Sequence, residues 1–254
     1  MSSSPLMELK DIHKSFGNVD ALKGVSISIN AGECHCLLGD NGAGKSTFIK
    51  IMSGVHQPTK GKININGKEI EINNPREAID VGIATVYQDL ALIPLMSVSR
   101  NFWLGRELTK KVGPVTFMDF EKCDSILMSE MDKIGIKLRD PSQSIGTLSG
   151  GERQTVAIAR AVFFGAKILI LDEPTSALGV YQTSNVLKTI ERVREKGVAV
   201  VFISHNVSHA LAVGDKFTVL SRGETLGTAK AGEIDFQELQ LLMSGNKELS
   251  ELKK

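Results

Sequence analysis

Apolar and polar residues alternate in some segments of this chain and form continuous runs in others, and each pattern predicts a kind of strand. The segments 7–16 and 21–29 predict two strands around the turn Gly17-Asn18. Strict alternation at 62–68, followed by 69–72, predicts a hairpin with one face in water. Continuous apolar runs predict buried strands at 33–38, 167–171 and 198–203.

Apolar residues at helical spacing occupy the segments between these strands. They predict helices at 46–52, 152–163 and 180–196. The last helix lies between two buried strands and completes a strand–helix–strand unit. Segment 94–145 is rich in Met, Phe, Leu and charge, with breaks at Gly113-Pro114 and Asp140-Pro141, and predicts a helical lobe inserted into an α/β core. The tail 233–254 predicts one packed helix that frays.

Composition narrows the class of protein. The 254 residues suffice for one α/β domain, and a net charge of +1 gives no electrostatic case for nucleic-acid binding. No apolar run approaches the ~18 residues of a membrane span, and the first five residues lack the features of a signal peptide. Three cysteines without metal-ligand spacing predict a reducing compartment, with Cys34 and Cys36 as strand core. We therefore expect a cytoplasmic protein.

Residues 39–46 form a complete GxxxxGK[ST] loop between a predicted strand and a predicted helix. Its three glycines let successive backbone N–H groups curl around a phosphate chain. The Lys45 charge is worth roughly 5 kcal/mol at ~3 Å and an effective dielectric of ~20, before desolvation. The Ser46 hydroxyl suits Mg²⁺. The loop predicts a nucleoside triphosphate site formed by Gly39, Asp40, Asn41, Gly42, Ala43, Gly44, Lys45, Ser46 and Thr47.

Two carboxylates follow the buried run at 167–171. Asp172 stands where the metal carboxylate beside a phosphate loop is expected, so we assign it to Mg²⁺ together with Ser46. Glu173 is one residue further and can polarise an attacking water, which contributes ~10²–10⁴-fold in rate. The alternative is a strand that ends in two solvated acids.

The segment Leu148-Ser-Gly-Gly-Glu152 places a serine and two glycines directly before a predicted helix. Ser149, Gly150 and Gly151 therefore form a second helix N-terminus that can bind an anion. A kinase or a GTPase does not need such a site, and the guanine signature Asn-Lys-x-Asp is missing.

With these motifs, the chain resembles the ATPase subunits of ABC transporters from about residue 7 to residue 244. The resemblance rests, in chain order, on the phosphate loop, the Gln88 loop, the Leu148–Glu152 signature, the Asp172–Glu173 strand and His205. It implies a single α/β domain over 1–254. This domain would have a P-loop NTPase core, made of a mostly parallel sheet plus an antiparallel β subdomain, with an inserted α-helical subdomain at about 94–165.

In that family two domains face each other, and the signature of one closes over ATP held by the phosphate loop of the other. The resemblance thus implies a second copy as partner, with ATP and Mg²⁺ as cofactors. It implies catalytic roles for Lys45, Gln88, Glu173 and His205. Phe16 would stack on adenine, Gln88 would sense Mg²⁺ and the membrane partner, and Ser149 and Gly151 would cap the opposite γ-phosphate. Three alternatives stay open: Phe16 in the core, Gln88 as a polar strand end, and His205 as a structural histidine.

One position departs from the family pattern. Most relatives have Asp where this chain has Gly179, which leaves the communication between the two ATP sites open. Together with Val180 and Gln182-Thr183, this position resembles the branch that serves importers of monosaccharides such as ribose, xylose or fructose. Because one nucleotide-binding half is present, we expect a homodimer or a heterodimer with a similar subunit.

The resemblance also implies partners. We expect a separate membrane permease, a periplasmic sugar-binding protein that acts indirectly, no nucleic acid, and a peripheral position on the inner face of the membrane. The permease would dock near 88–102 and leave apolar side chains exposed at Leu92, Ile93, Leu95 and Met96.

Two other function classes remain possible. An ABC ATPase that acts on DNA or ribosomes carries long coiled-coil inserts or a second domain with a basic linker, which this sequence does not show. A nucleotide sensor without turnover usually lacks the water-polarising acid, whereas Glu173 is present. The sequence favours a Mg²⁺-dependent ATPase subunit of a sugar importer.

Overall fold

The computed structural model describes residues 4–136 and 138–245. The first part contains β1 Met7–Phe16, β2 Val19–Ile29, β3 Cys34–Leu38, α1 Lys45–Met52, β4 Lys60–Ile65, β5 Lys68–Ile70, α2 Pro75–Asp80 and β6 Ile83–Val86. The middle part contains α3 Val98–Trp103, β7 Thr109–Val112, β8 Val115–Met118, α4 Phe120–Lys133, a 3₁₀ turn at Ile145–Thr147, and α5 Gly150–Phe163. The last part contains β9 Ile168–Asp172, α6 Val180–Glu195, β10 Ala199–Ser204, α7 Val207–Val213, β11 Lys216–Ser221, β12 Glu224–Lys230 and α8 Phe236–Met243.

The central sheet has six strands in the order β12-β11-β3-β10-β9-β6. Neighbouring strands are parallel except for the antiparallel pair β11–β12. Strands β3, β9 and β10 are buried almost throughout, which explains their continuous apolar sequences. Because parallel strands end at the same edge, Gly39, Glu173 and His205 come together there. The predicted α/β core is confirmed.

A second sheet is antiparallel, with strand order β2-β1-β4-β5. Its inward side chains, such as Leu9 and Val25, pack with Phe48 of α1 in one hydrophobic cluster. This sheet is the predicted antiparallel subdomain, and its register joins Phe16 to Val19 beside the turn.

Helices α3, α4 and α5 share a hydrophobic cluster of their own, which includes Phe102, Leu127 and Val156. The predicted helical lobe is therefore present, but it also contains two strands that were not predicted. Strands β7 and β8 form a hairpin within it, and Gly113-Pro114, interpreted as a break between helices, is the turn. Beta-branched and aromatic residues flank that turn, and this is the local signal for strands.

Three elements near the chain end were not predicted: α7, β11 and β12. The predicted tail helix is α8, whose Leu239 and Leu242 are buried; residues 246–254 lie outside the described residues. Cys34 and Cys36 are buried as predicted. Across residues 4–136 and 138–245, no helix combines the length and apolar character needed to span a membrane.

Candidate functional site

The loop between β3 and α1 adopts backbone angles that favour glycine. Gly39, Gly42 and Gly44 have φ of 149°, 81° and 105°, in the region that other residues rarely adopt. A Cβ at Gly39 would lie 2.3 Å from the Leu220 carbonyl oxygen. The β11–β12 turn braces the loop, because the Gly223 N–H donates to the Ala43 carbonyl over 3.0 Å. The phosphate loop is therefore held in shape by β11 and its turn.

Lys45 is buried at the base of this loop. Its ammonium donates to the carbonyl oxygens of Gly39 at 2.5 Å and Asp40 at 3.0 Å. Burial lowers the Lys45 pKa, while the negative charges of Glu173, Asp40 and Asp172 oppose that shift. The Lys45 ammonium thus lies near three carboxylates at the base of the loop, where it could also neutralise the charge of a bound phosphate chain.

Asp172 ends β9 as a half-buried carboxylate. Burial raises its pKa, the adjacent Glu173 adds to that effect, and the positive charge of Lys45 opposes it. The ionised form of Asp172 is therefore less favourable here than in water, and a bound cation would offset this effect. This electrostatic setting suits a metal ligand.

Glu173 occupies a left-handed backbone conformation with φ of 48°. Its backbone N–H donates to the Ile203 carbonyl of β10 over 3.0 Å, which fixes it against the neighbouring strand. Non-glycine residues in this region cost of order 1–3 kcal/mol and concentrate at functional sites. The turn directs the carboxylate toward the end of β10.

The side chains of Glu173 and His205 meet across these two strand ends. His205 Nδ1 donates to Glu173 Oε1 over 2.8 Å, and the Ser204 hydroxyl lies 3.4 Å from Glu173 Oε2. The Glu173 side chain is 14% exposed and that of His205 is 59% exposed. The carboxylate and the imidazole thus hold each other in place at this edge of the sheet, and the imidazole is the more accessible of the two.

Gln88 follows β6 at the same edge of the sheet. Its Nε2 donates to the Ser176 hydroxyl over 3.2 Å. This bond ties the Gln88 loop to the loop after Glu173, a contact that the sequence did not predict. A strand-end glutamine and a functional one can both adopt this position, so its proposed role in Mg²⁺ sensing stays a prediction.

Phe16 lies on the surface, and the core alternative is wrong. Its side chain is 45% exposed and packs edge-on against His56, with ring centroids 5.3 Å apart. Its partner in the sheet, Val19, lines a cavity of about 490 Å³ that also borders Lys45 and Ser46. An accessible aromatic beside that cavity is compatible with adenine stacking, which stays a prediction.

The signature segment begins α5 with a complete capping box. The Ser149 hydroxyl accepts from the Glu152 N–H, and the Glu152 carboxylate accepts from the Ser149 N–H. A Cβ at Gly151 would lie 3.0 Å from Gln182 Cβ, so this glycine also permits close packing of α5 on α6. Among the described residues, those that line the cavity beside the phosphate loop do not include 149–151. The predicted second anion site therefore lies outside that cavity.

The oxygen atoms near the phosphate loop suit Mg²⁺ better than they suit a metal ion that is bound by protein side chains alone. Within the described ranges, no group of three or more His, Cys, Asp and Glu residues is arranged to hold a metal. Mg²⁺ is usually bound by one or two carboxylates together with phosphate oxygens and water. The Ser46 hydroxyl and the Asp172 carboxylate would supply that small oxygen set, and a bound cation would oppose the burial that raises the Asp172 pKa.

The sequence reasoning missed one pair at this site. Thr175 and His209 are hydrogen-bonded, at 2.9 Å between Oγ1 and Nδ1. They are 34 positions apart in the sequence, which leaves no local signal of the contact. The helical spacing of His205 and His209 was the one available indication that both could reach the same edge.

A sequence model of the family described as "ABC transporter" matches residues 22–176 of this chain, more than half of its length. The chain belongs to the ABC transporter family. This ABC ATPase is 44% identical to the xylose/arabinose import ATP-binding protein of Sulfolobus acidocaldarius over 95% of its own length and 94% of that protein's. It is 38% identical to the fructose import ATP-binding protein of Rhizobium meliloti, covering 98% and 97% of the two chains.

One further relative is about twice as long as this chain, and two others are solved structures. The ribose import ATP-binding protein of Bacillus subtilis is 38% identical, but this ABC ATPase spans only 49% of it. Among solved structures, an ATP-binding cassette of an ABC transporter in its ADP conformation has a TM-score of 0.81 and 25% identity, with 97% of each chain covered. A dimeric bacterial ABC transporter cassette has a TM-score of 0.73 and 27% identity, with 90% of this chain and 100% of that chain covered.

Proposed function

We propose that this ABC ATPase hydrolyses ATP to drive the import of a monosaccharide through a separate membrane permease. The observation that carries the proposal is the near full-length similarity, at 44% identity, to an ATP-binding protein named for xylose and arabinose import. The fructose-import relative matches over almost the whole of both chains as well. A pentose or a hexose is therefore the expected cargo.

The proposed roles follow the geometry of the sheet edge. The loop 39–47 cradles the phosphates and Phe16 stacks on adenine. Lys45 neutralises phosphate charge, Glu173 polarises the attacking water, and His205 contacts the γ-phosphate.

A bound Mg²⁺ would supply charge neutralisation on the phosphate oxygens. Ser46, Asp172 and Gln88 would hold it. Their small number of oxygen donors fits an ion that keeps waters and phosphate oxygens as its other ligands.

The second anion site acts on a second copy of the chain. Ser149, Gly150 and Gly151 open the N-terminus of α5 toward the γ-phosphate bound by the partner's phosphate loop. Support comes from the position of 149–151 outside the cavity beside the phosphate loop, and from a solved dimeric cassette with a TM-score of 0.73. Whether the second copy is this chain or a similar subunit depends on the transporter.

The permease is proposed to dock on the surface between β6 and the inserted lobe. A cavity of about 280 Å³ lies there, bordered by Tyr87, Leu92 and Phe164. Leu95 is 94% exposed and Ile93 is 42% exposed, which is unusual for side chains of this size. Leu92 is half-buried against the lobe cluster and Met96 is half-buried, so these two contribute less to the surface than predicted. Docking here would hold the ATPase peripherally on the inner membrane face, with a periplasmic sugar-binding protein acting through the permease.

Uptake by cells tests this function. In a strain that lacks the chain, we would measure uptake of labelled xylose, arabinose, ribose and fructose, and complement the strain with wild type or with Lys45→Ala. We expect wild type to restore uptake of at least one sugar and Lys45→Ala to restore none. Unchanged uptake of all four sugars in the strain without the chain would reject the cargo class. Uptake of an unrelated amino acid serves as the control.

A further inference from the structure

His209 connects the loop after Glu173 to the helix after His205. Its Nδ1 is hydrogen-bonded to Thr175 Oγ1 at 2.9 Å. Thr175 is two residues beyond Glu173 and only 4% exposed. His209 lies in the first turn of α7, four residues after His205, which precedes the helix. The contact therefore bridges the two strand ends that carry the Glu173–His205 pair.

The loop needs a tether because its backbone is strained. Glu173 and Ala177 both have positive φ, of 48° and 58°. Non-glycine residues keep such angles only where the surrounding structure holds them. The Gln88–Ser176 bond is exposed to water, whereas the bond to His209 is part-buried. The second bond is thus the better protected of the two.

His209 is itself fixed at the start of α7. The Asn206 side chain caps this helix by accepting from the His209 N–H over 3.1 Å. The Asn206 N–H donates to Ser204 Oγ over 3.0 Å, and Ser204 Oγ lies 3.4 Å from Glu173 Oε2. A network of hydrogen bonds therefore connects the Glu173 carboxylate to the start of α7, and the start of α7 to the loop that follows Glu173.

We propose that His209 is a positioning residue for ATP hydrolysis. Through its bond to Thr175 it holds the loop 174–179 in place, and the loop in turn holds the Glu173 carboxylate in the orientation that hydrolysis requires. The inference rests on the hydrolytic roles proposed for Glu173 and His205. Burial lowers the pKa of His209, His205 adds to the effect, and the negative charge of Glu173 opposes it. A neutral ring can donate or accept at Nδ1 and a threonine hydroxyl can do the same, so either tautomer can make the contact.

A double-mutant cycle tests the pair. We would measure the rate constant of a single ATP turnover and the Kd for ATP, with the full-length chain in excess over Mg·ATP. His209→Ala and Thr175→Val should each slow turnover about tenfold, because small misplacements of catalytic groups carry large rate penalties, and should leave the Kd within about twofold. The double variant should also lose about tenfold rather than about a hundredfold, since both changes break one contact.

Two polar replacements of His209 test which ring nitrogen makes the contact. They keep the test valid even if His209→Ala does not fold. Asn places a nitrogen or oxygen at the distance of Nδ1 from the backbone, whereas Gln places it near Nε2. His209→Asn should therefore keep most of the wild-type rate, and His209→Gln should be slow. Thr189→Val is the matched control, because it removes another buried hydroxyl, bonded to the Asn185 carbonyl at 2.9 Å on α6. Its turnover should match wild type.

Several results would overturn the inference. Wild-type rates in His209→Ala and Thr175→Val, with Glu173→Gln inactive, would show that the tether does not serve hydrolysis. A loss of about a hundredfold in the double variant, or equal rates for His209→Asn and His209→Gln, would show that the two side chains do not act through this bond. A wild-type rate in Glu173→Gln would instead remove the proposed role of Glu173 itself.

Discussion

At the scale of single residues, the site concentrates negative charge around one buried lysine. Asp172 and Glu173 are adjacent in sequence, and both act on the Lys45 ammonium. Burial disfavours the charged form of Asp172, and the neighbouring Glu173 carboxylate adds repulsion. When no metal ion is bound, the raised pKa of Asp172 means that its ionised form lowers the stability of the folded chain.

This cost gives a prediction for Asp172→Asn. A carboxyl whose folded pKa is raised gives stability that is fully present below its unfolded pKa and is lost as the pH rises through the folded pKa. The nucleotide-free Asn variant should therefore melt higher than wild type at pH 7–8, by roughly 1–3 °C because solvent screening keeps the term below ~1 kcal/mol. Thermal unfolding at several pH values should show the gain disappearing below about pH 4.

The same variant should lose Mg²⁺-dependent turnover, because its amide is a weaker ligand than a carboxylate. Phosphate release titrated with Mg²⁺, and then with EDTA, would measure the change. An Asn variant that is less stable than wild type at pH 8, or equally active at low Mg²⁺, would contradict this account of Asp172.

At the scale of elements, the packing of α5 against α6 depends on a glycine of the signature segment. Gly151 is buried, and a Cβ there would lie 3.0 Å from Gln182 Cβ and 3.3 Å from its Cα. The helix start thus has two requirements: open backbone N–H groups for an anion, and close contact with α6. A larger residue at Gly151 would require Gln182 to shift.

Gly151→Ala should consequently destabilise the protein. Overpacking typically costs 1–3 kcal/mol, so we expect Tm to fall by roughly 2–10 °C in thermal unfolding. Gly179→Ala is the matched control, because Gly179 has an ordinary φ of −69° and a Cβ there would have no neighbour within 4 Å. Equal Tm values for the two variants would show that the close packing at Gly151 is not required.

The elements that the sequence predicted well are those with strong local patterns. Strands β3, β9 and β10 and the glycine loop before α1 could be predicted from their own residues, without information on distant parts of the chain. The hairpin β7–β8 was missed because four-residue strands within a helix-rich segment give a weak signal. The contact of Thr175 with His209 lies beyond sequence patterns, since it depends on which strands of the sheet become neighbours.

At the scale of the whole molecule, the most exposed apolar side chain of the lobe lies beside the proposed permease surface. Leu95→Asp should weaken assembly with the permease and reduce sugar uptake at least several-fold, with Tm unchanged because the side chain is 94% exposed. Co-purification of the permease with the variant would measure assembly. Val112→Asp, at a residue of the β7–β8 hairpin that is 59% exposed, is the matched control. Equal co-purification of permease with both variants would place the docking surface elsewhere.

The central claim at this scale is that a second copy completes each ATP site. The most direct test is the mass of Glu173→Gln in solution, measured by light scattering during size exclusion with and without Mg·ATP. If Glu173 polarises the attacking water as proposed, its loss should trap the closed state, so we expect a monomer without nucleotide and twice that mass with it. Adding Lys45→Ala should abolish the shift. A monomeric mass at saturating, demonstrably bound ATP would contradict the shared-site account.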